Sequence, residues 1–309
     1  VQLNAPTPSP PMPEPHAMTQ PHQLHPLNDP ETPDLRILPL DLFVEHEYND
    51  AQRTAPLARR LESEGLLKNP PIVTPLEAGD PRFVVLDGAN RTTALQSLGY
   101  PHCLAQVVRY EPPQVTLSTW HHIGAGIDVH SFAAQLDAIE GLDFKEIDLL
   151  HGRAGLARRE LIAYVVRTDG KVFAAAVSKG KGGATLHEKN ARLNAMVDTY
   201  KERGGLFRTS TDNLDDARRL YPNLTALVVF PNYEPSEVMA LARDGELLPT
   251  GLTRHLIQGR ALRINCPLSE LKSNASLEEK NVHLSEWLRQ KMSSKEVRYY
   301  AEATYLFDE

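Results

Sequence analysis

Two short stretches carry side chains whose types and spacing suit chemistry. In Val84-Val85-Leu86-Asp87-Gly88-Ala89-Asn90-Arg91-Thr92, an apolar strand runs into an Asp-Gly turn and a helix begins at once. The first amides of a helix lack internal partners, and the macrodipole adds partial positive charge there. Gly88 removes the side chain that would block a phosphate, and Arg91 adds a fork of donors. The turn suits a nucleotide phosphate; a plain strand-turn-helix with an N-cap is the competing reading. It is not a Walker A loop, because the spacing of Gly, Lys and Ser/Thr is missing. In Leu117-Ser118-Thr119-Trp120-His121-His122, Trp120 is one of two tryptophans in the chain. It suits the wall of a small-molecule pocket or the core at a domain junction. The adjacent histidines point to opposite faces of an expected strand, so they do not read as metal ligands. Ser178-Lys179-Gly180-Lys181-Gly182-Gly183-Ala184 reads first as a mobile surface connection and second as a lid over phosphates.

The frame that positions these stretches begins after residue 34. Residues 1–34 hold ten of the 24 prolines. Such a segment cannot bury enough apolar surface to offset its chain entropy, and it is expected to be a disordered extension. Its histidines, His16, His22 and His25, are expected to be solvated. Beyond it, strands are expected over 37–40, 71–76, 82–86 and 103–110. Helices are expected over 50–64 and 90–98, each stopping at a glycine, Gly65 or Gly99. This is a compact α/β domain over 35–122. A mixed α+β lobe follows over 123–309. In it a hairpin is expected around Thr168-Asp169-Gly170. Helices are expected over 188–203, 236–243 and 277–291, and strands over 224–231, 261–264 and 297–307. The fold class is α+β, with a cleft between the lobes.

Composition narrows the function. The 309 residues are 41% hydrophobic and 24% charged, an ordinary balance for a globular protein. No stretch approaches the roughly 20 apolar residues of a membrane helix, and no secretory signal is visible. A cytoplasmic location with no membrane partner is expected. The net charge is −7, and basic residues are scattered, which argues against DNA as a partner. Cys103 and Cys266 each lie in an apolar run and are expected to be buried thiols in strands.

The turn Asp87-Gly88-Ala89-Asn90-Arg91 after a strand resembles the signature of the ParB/sulfiredoxin-like superfamily, in which the helix tip binds nucleotide phosphates. Gly65-Leu66-Leu67-Lys68-Asn69-Pro70-Pro71-Ile72-Val73 resembles the superfamily's entry to the next strand. Sulfiredoxin places its nucleophilic Cys where Ala89 stands, which excludes that chemistry. Partition proteins add a Glu-Arg-rich turn and a helix-turn-helix, and neither is present. The free L-serine kinases, one of them encoded with siderophore synthesis, are the closest branch. Val44-Glu45-His46-Glu47-Tyr48 resembles the segment carrying their catalytic Glu. On its own it reads as a solvated acidic turn. The Trp120 segment and Leu248-Pro249-Thr250-Gly251-Leu252-Thr253-Arg254-His255 resemble two more of their motifs. Asn90 departs from the His of archaeal members, and His255 from an aromatic residue of the siderophore-linked one. The resemblance spans roughly residues 36–309.

That resemblance implies a phosphotransferase that converts free L-serine to O-phospho-L-serine, with ATP or ADP and Mg²⁺. It implies Glu47 as the base, with Glu45 as the back-up, because a serine hydroxyl must lose its proton as the bond to phosphorus forms. Gly88, Ala89, Asn90, Arg91 and Thr92 would hold the nucleotide. Asp87 would be a catalytic carboxylate and the magnesium ligand. His46, Trp120, Thr253, Arg254 and His255 would shape the substrate end. The alternatives are a ParB-like nucleotide-binding transcriptional regulator and a kinase for another hydroxyl amino acid such as threonine. Specific DNA binding at moderate salt would favour the regulator. One methyl group changes affinity modestly in an apolar pocket, so serine and threonine stay open.

Overall fold

The computed structural model describes residues 32–49, 51–178, 183–201 and 205–300. Most of the proline-rich extension, and residues 179–182 of the Gly-Lys stretch, lie outside the described residues. The first lobe runs through β1 (Asp34–Pro39), β2 (Phe43–Glu45), α1 (Ala51–Glu64), β3 (Leu66–Leu67), β4 (Ile72–Pro75), β5 (Phe83–Asp87), α2 (Ala89–Ser97) and β6 (His102–Val107). β7 (Val115–Thr119) and β8 (His121–Ala125) flank Trp120. Then come α3 (Val129–Asp137), β9 (Leu142–Ile147), α4 (Leu149–Ala157), β10 (Ala163–Arg167), β11 (Val172–Val177) and α5 (Leu186–Lys201). β12 (Gly205–Thr209), α6 (Leu214–Leu220), β13 (Leu224–Val229) and α7 (Pro235–Arg243) complete the second lobe. β14 (Thr253–Ile257), β15 (Cys266–Pro267), α8 (Leu268–Lys272) and α9 (Leu277–Ser293) bring the chain back.

The architecture is mixed α+β, built on two main sheets. The first is mixed, in the order β1-β6-β4-β5-β2, and the second is antiparallel, in the order β12-β8-β13-β10-β11-β9. Side chains alternate across each strand. On β5, Val85 enters the main core of the first lobe, while Val84 and Leu86 turn to a second cluster. That second cluster also takes Val115 of β7 and Ala242 of α7, so it is the apolar seam between the lobes. Every residue of β13 is buried because both faces of its sheet are covered. The hairpin around Thr168-Asp169-Gly170 is present, with Ala163 opposite Ala175.

Three expectations need correction. Residues 261–264 form no strand. Arg263 and Asn265 adopt left-handed φ of 53° and 55°, which breaks an extended run. Residues 297–300 are irregular, and the rest of the expected last strand lies outside the described residues. The second lobe is not one continuous stretch to the end. Ala261, Cys266, Leu268, Leu271, Leu284 and Leu288 pack into the core of the first lobe, and β15 pairs with β3. Both cysteines are free, buried and in strands, as expected.

Candidate active site

The phosphate end is built at the tip of α2. Gly88 has φ of 101°, and a Cβ there would lie 2.8 Å from Pro71 Cβ and 2.9 Å from an Arg91 nitrogen. Glycine is required by the backbone and by this close approach. The amides of Arg91 and Thr92 already reach the Gly88 carbonyl, so Ala89 and Asn90 present the open amides. Asp87 Oδ2 accepts from Arg91 at 3.2 Å and from Arg260 at 2.5 Å. Burial pushes the Asp87 carboxyl up, but the two guanidinium charges outweigh it and hold the group below the usual carboxylate range. Arg91 Nε is buried with no hydrogen-bond partner among the described residues. Thr92 is a correction: it is 1% exposed and its hydroxyl bonds the Ala89 carbonyl, so its side chain does not face the cleft. Asn90 accepts from Thr54 of α1.

The hydroxyl end is assembled across the seam. The backbone of His46 and Tyr48 is zipped to Leu248 by two hydrogen bonds, at 2.8 and 3.0 Å. Thr250 adds a bond from its hydroxyl to the Tyr48 carbonyl. This fastening carries Glu47 into the turn before β14. The Gly251 amide donates to Glu47 Oε2 at 2.9 Å, and the Thr253 amide donates to Oε1. Thr253 Oγ1 lies 2.5 Å from the same Oε1. A carboxylate offers about four acceptor positions, so one on Oε2 remains for an incoming hydroxyl. Glu47 is 15% exposed, so it is shielded yet reachable. The back-up Glu45 goes elsewhere, to the Thr93 hydroxyl at 2.7 Å, and burial pushes its carboxyl up.

His46 Nδ1 lies 2.6 Å from the Val85 carbonyl of β5, and the ring of His255 meets that of His46 edge-on with centres 5.2 Å apart. His255 Nε2 meets the Tyr110 hydroxyl at 2.7 Å. Burial and the neighbouring His46 push His255 down to about 3, so it is neutral. His46 is held by protein groups on both nitrogens rather than aimed at a ligand. His121 and His122 do point apart. His122 is fully buried against Tyr200 and the Gly251 carbonyl, whereas His121 accepts from the Phe230 amide.

A cavity of about 610 Å³ is lined by Asp87, which precedes the α2 tip, by Thr253, which bonds Glu47, and by Trp120, Arg254 and His255; neither Glu47 nor Gly88 to Arg91 is among its lining residues. Arg254 stacks 4.4 Å from the centre of the Trp120 ring, and Arg208 lies 5.9 Å from it. Neither arginine forms an ion pair with a carboxylate among the described residues. Sequence reasoning assigned no role to Arg208, Arg260 or Tyr110. Each belongs to an unremarkable local pattern and acquires meaning only through its neighbour in space. Among the described residues no cluster of three or more His, Cys, Asp or Glu could hold a metal. No helix among them is long and apolar enough to cross a membrane.

The arrangement can do acid-base chemistry beside an anion site. A shielded carboxylate with an open acceptor position is bonded by Thr253, and Thr253 lines one cavity with Asp87, the residue before a helix tip flanked by arginines. No family model matches the chain. It is 25% identical over 285 residues to the ATP-dependent L-serine kinase SbnI of Staphylococcus aureus, spanning 89% of this chain and 97% of the relative. It is 30% identical over 246 residues to the ATP-dependent L-serine kinase of Desulfurococcus mucosus, spanning 76% of this chain and 90% of the relative. A solved free serine kinase in complex with AMP shares the fold, with TM-score 0.64 and 20% identity over 78% of this chain and 94% of that one. At this identity and coverage, the chain belongs to the L-serine kinase family.

Proposed function

We infer that this chain transfers the terminal phosphoryl group of a nucleotide to the hydroxyl of free L-serine and releases O-phospho-L-serine. The observation that carries the reading is Glu47, whose carboxylate is fastened across the seam by three hydrogen bonds with one acceptor position left open. Glu47 takes the serine proton as the bond to phosphorus forms, a role worth about 10² to 10⁴ in rate. The open amides of Ala89 and Asn90, with Arg91, hold the phosphates, and Gly88 allows the approach. The first lobe is read as a ParB/sulfiredoxin-like domain on the strength of this turn. Arg254 and Arg208 supply cations for the serine carboxylate, and Trp120 and His255 wall the substrate end. Thr253 orients Glu47.

Magnesium fits as an ion that arrives with the nucleotide. Mg²⁺ commonly takes one or two carboxylates plus substrate phosphates. Asp87 has one oxygen tied to arginines and one left to offer. When bound, the ion would spread the charge of the phosphates. The remaining catalysis is positioning and electrostatics by the residues above.

The test is incubation with Mg²⁺, L-serine or L-threonine, and either ATP or ADP, followed by mass spectrometry. O-phospho-L-serine with at least one nucleotide is the expected product. Folded protein that yields none with either nucleotide would overturn the reading.

A further inference from the structure

The turn that receives Glu47 is fastened to α5. Asn190, in the second turn of that helix, is 2% exposed. Its side-chain nitrogen donates to Glu246 Oε2 and to the Leu247 carbonyl, each at 3.1 Å. Both partners only accept, so they fix which way the amide faces. Asn194, one turn on, donates to the same Leu247 carbonyl at 2.8 Å and to the Asn190 side-chain oxygen at 3.2 Å. The Leu247 carbonyl and the Leu248 amide are two ends of one planar peptide. The asparagines hold the first end, and the His46 carbonyl takes the second at 2.8 Å. Near its C-terminus the helix reaches the turn again. The Tyr200 hydroxyl lies 2.9 Å from His122 Nδ1, and His122 Nε2 lies 3.1 Å from the Gly251 carbonyl. Residues 247–251 are thus gripped at both ends from one helix. Between the grips lie the Leu248 backbone and the Gly251 amide that hold Glu47 in place.

We propose that Asn190, together with Asn194, is a positioning residue for the transfer, fixing the Leu247 peptide and through it the place of Glu47. The proposal rests on the serine kinase reading. Neither asparagine lines the cavity, so neither reaches the reactants directly. A rigid peptide released at its carbonyl end tips at its amide end, and the strand segment bonded there moves with it. A misplacement of about 1 Å at a reacting group can cost about 10² in rate. The phosphate end has no such dependence, because Gly88 and Arg91 belong to their own strand-to-helix turn. The loss should therefore fall on kcat and leave nucleotide binding alone.

The experiment measures kcat and the nucleotide KM of the wild type, Asn190→Ala, Asn194→Ala and the double variant, with circular dichroism to establish folding. The single variants should lower kcat roughly tenfold and the double variant roughly a hundredfold, with nucleotide KM within about twofold of wild type. The same substitutions are then made in Glu47→Gln. There they should change the residual rate by less than about twofold, because the place of a base stops mattering once the base is gone. A helix that only stabilises its lobe would lower Tm and leave the kcat of folded variants unchanged, which would overturn the proposal. So would equal losses in the two backgrounds, or a rise in nucleotide KM with kcat retained. If Asn190→Ala does not fold, Asn194→Ala, which removes the shorter bond to Leu247, decides by the same criteria. A wild type that makes no phosphoserine ends the kinase reading and this proposal together. An active wild type whose variants keep kcat ends this one alone.

Discussion

The two ends of the cleft are built by opposite means. At the phosphate end, Asp87, Gly88 and Arg91 come from one strand-to-helix turn and need only Arg260 from elsewhere. At the hydroxyl end, Glu47 is held by Gly251 and Thr253, which lie 204 and 206 residues further along the chain. The first end is held by guanidinium charge, which does not titrate in any ordinary range. The second rests on backbone amides and the Thr253 hydroxyl. Local construction makes the phosphate end a property of one turn, whereas the hydroxyl end exists only when the lobes close on each other.

That contrast can be broken most directly at Glu47. Glu47→Gln should lower turnover by about 10² to 10⁴ in protein that still folds, with a lower Tm, because the amide loses the basicity and turns a donor toward a backbone N–H that the carboxylate accepted. Near-normal turnover would remove the carboxylate from the chemistry. At the other end, Gly88→Val forces a branched residue into a left-handed backbone and against Pro71. The backbone cost alone is about 1–2 kcal/mol. Calorimetry should show a lower Tm, and nucleotide affinity should fall with it; unchanged nucleotide KM would separate Gly88 from the phosphate site. Arg260→Ala is milder. It leaves Asp87 with one cation instead of two, and nucleotide KM should rise about tenfold with kcat largely retained, a split that steady-state kinetics reads.

The smallest effect concerns acid. Burial pushes His122 down to about 4 and His255 to about 3, from an ordinary value near 6.5. The unfolded chain therefore binds protons on these rings before the folded one does. Stability should be full above about pH 6.5 and decline as the pH falls toward these folded values. Asp87 shifts the other way from most buried acids, and its arginines keep it charged over the same window. Melting temperature recorded against pH should fall below neutrality. A flat profile from pH 7 to roughly 4 would contradict the account of neutral buried histidines.

The same contrast explains what could be read in the chain. The Asp87 to Arg91 turn was legible because consecutive residues carry both its geometry and its charge. Glu47 was legible only through resemblance, since Val44 to Tyr48 alone is an acidic turn. What makes it special is the zipper to Leu248 and the amide of Gly251, and neither leaves a local trace. Arg208 is reached because Gly251 lacks a side chain: a Cβ there would lie 2.7 Å from Arg208 Cδ. No periodicity announces such a contact. Thr92 was misjudged because a helix tip has an inner and an outer side, and the hydroxyl took the inner one. The helix expected over 277–291 was legible from its amphipathic pattern; it runs over Leu277–Ser293 and opens on a Ser276–Glu279 capping box. Its return to the first lobe was not, because an apolar stripe specifies a buried face without naming the partner.

The central claim is that one cleft brings a nucleotide phosphate at the α2 tip to a serine hydroxyl at Glu47. A crystal structure of the protein with O-phospho-L-serine and a nucleotide product tests it most directly. The account predicts the phosphoserine bridging oxygen within hydrogen-bond reach of Glu47 and its phosphate facing Gly88 and Arg91. Phosphoserine bound with its phosphate turned away from that tip, or with Glu47 out of reach of the oxygen, would contradict it.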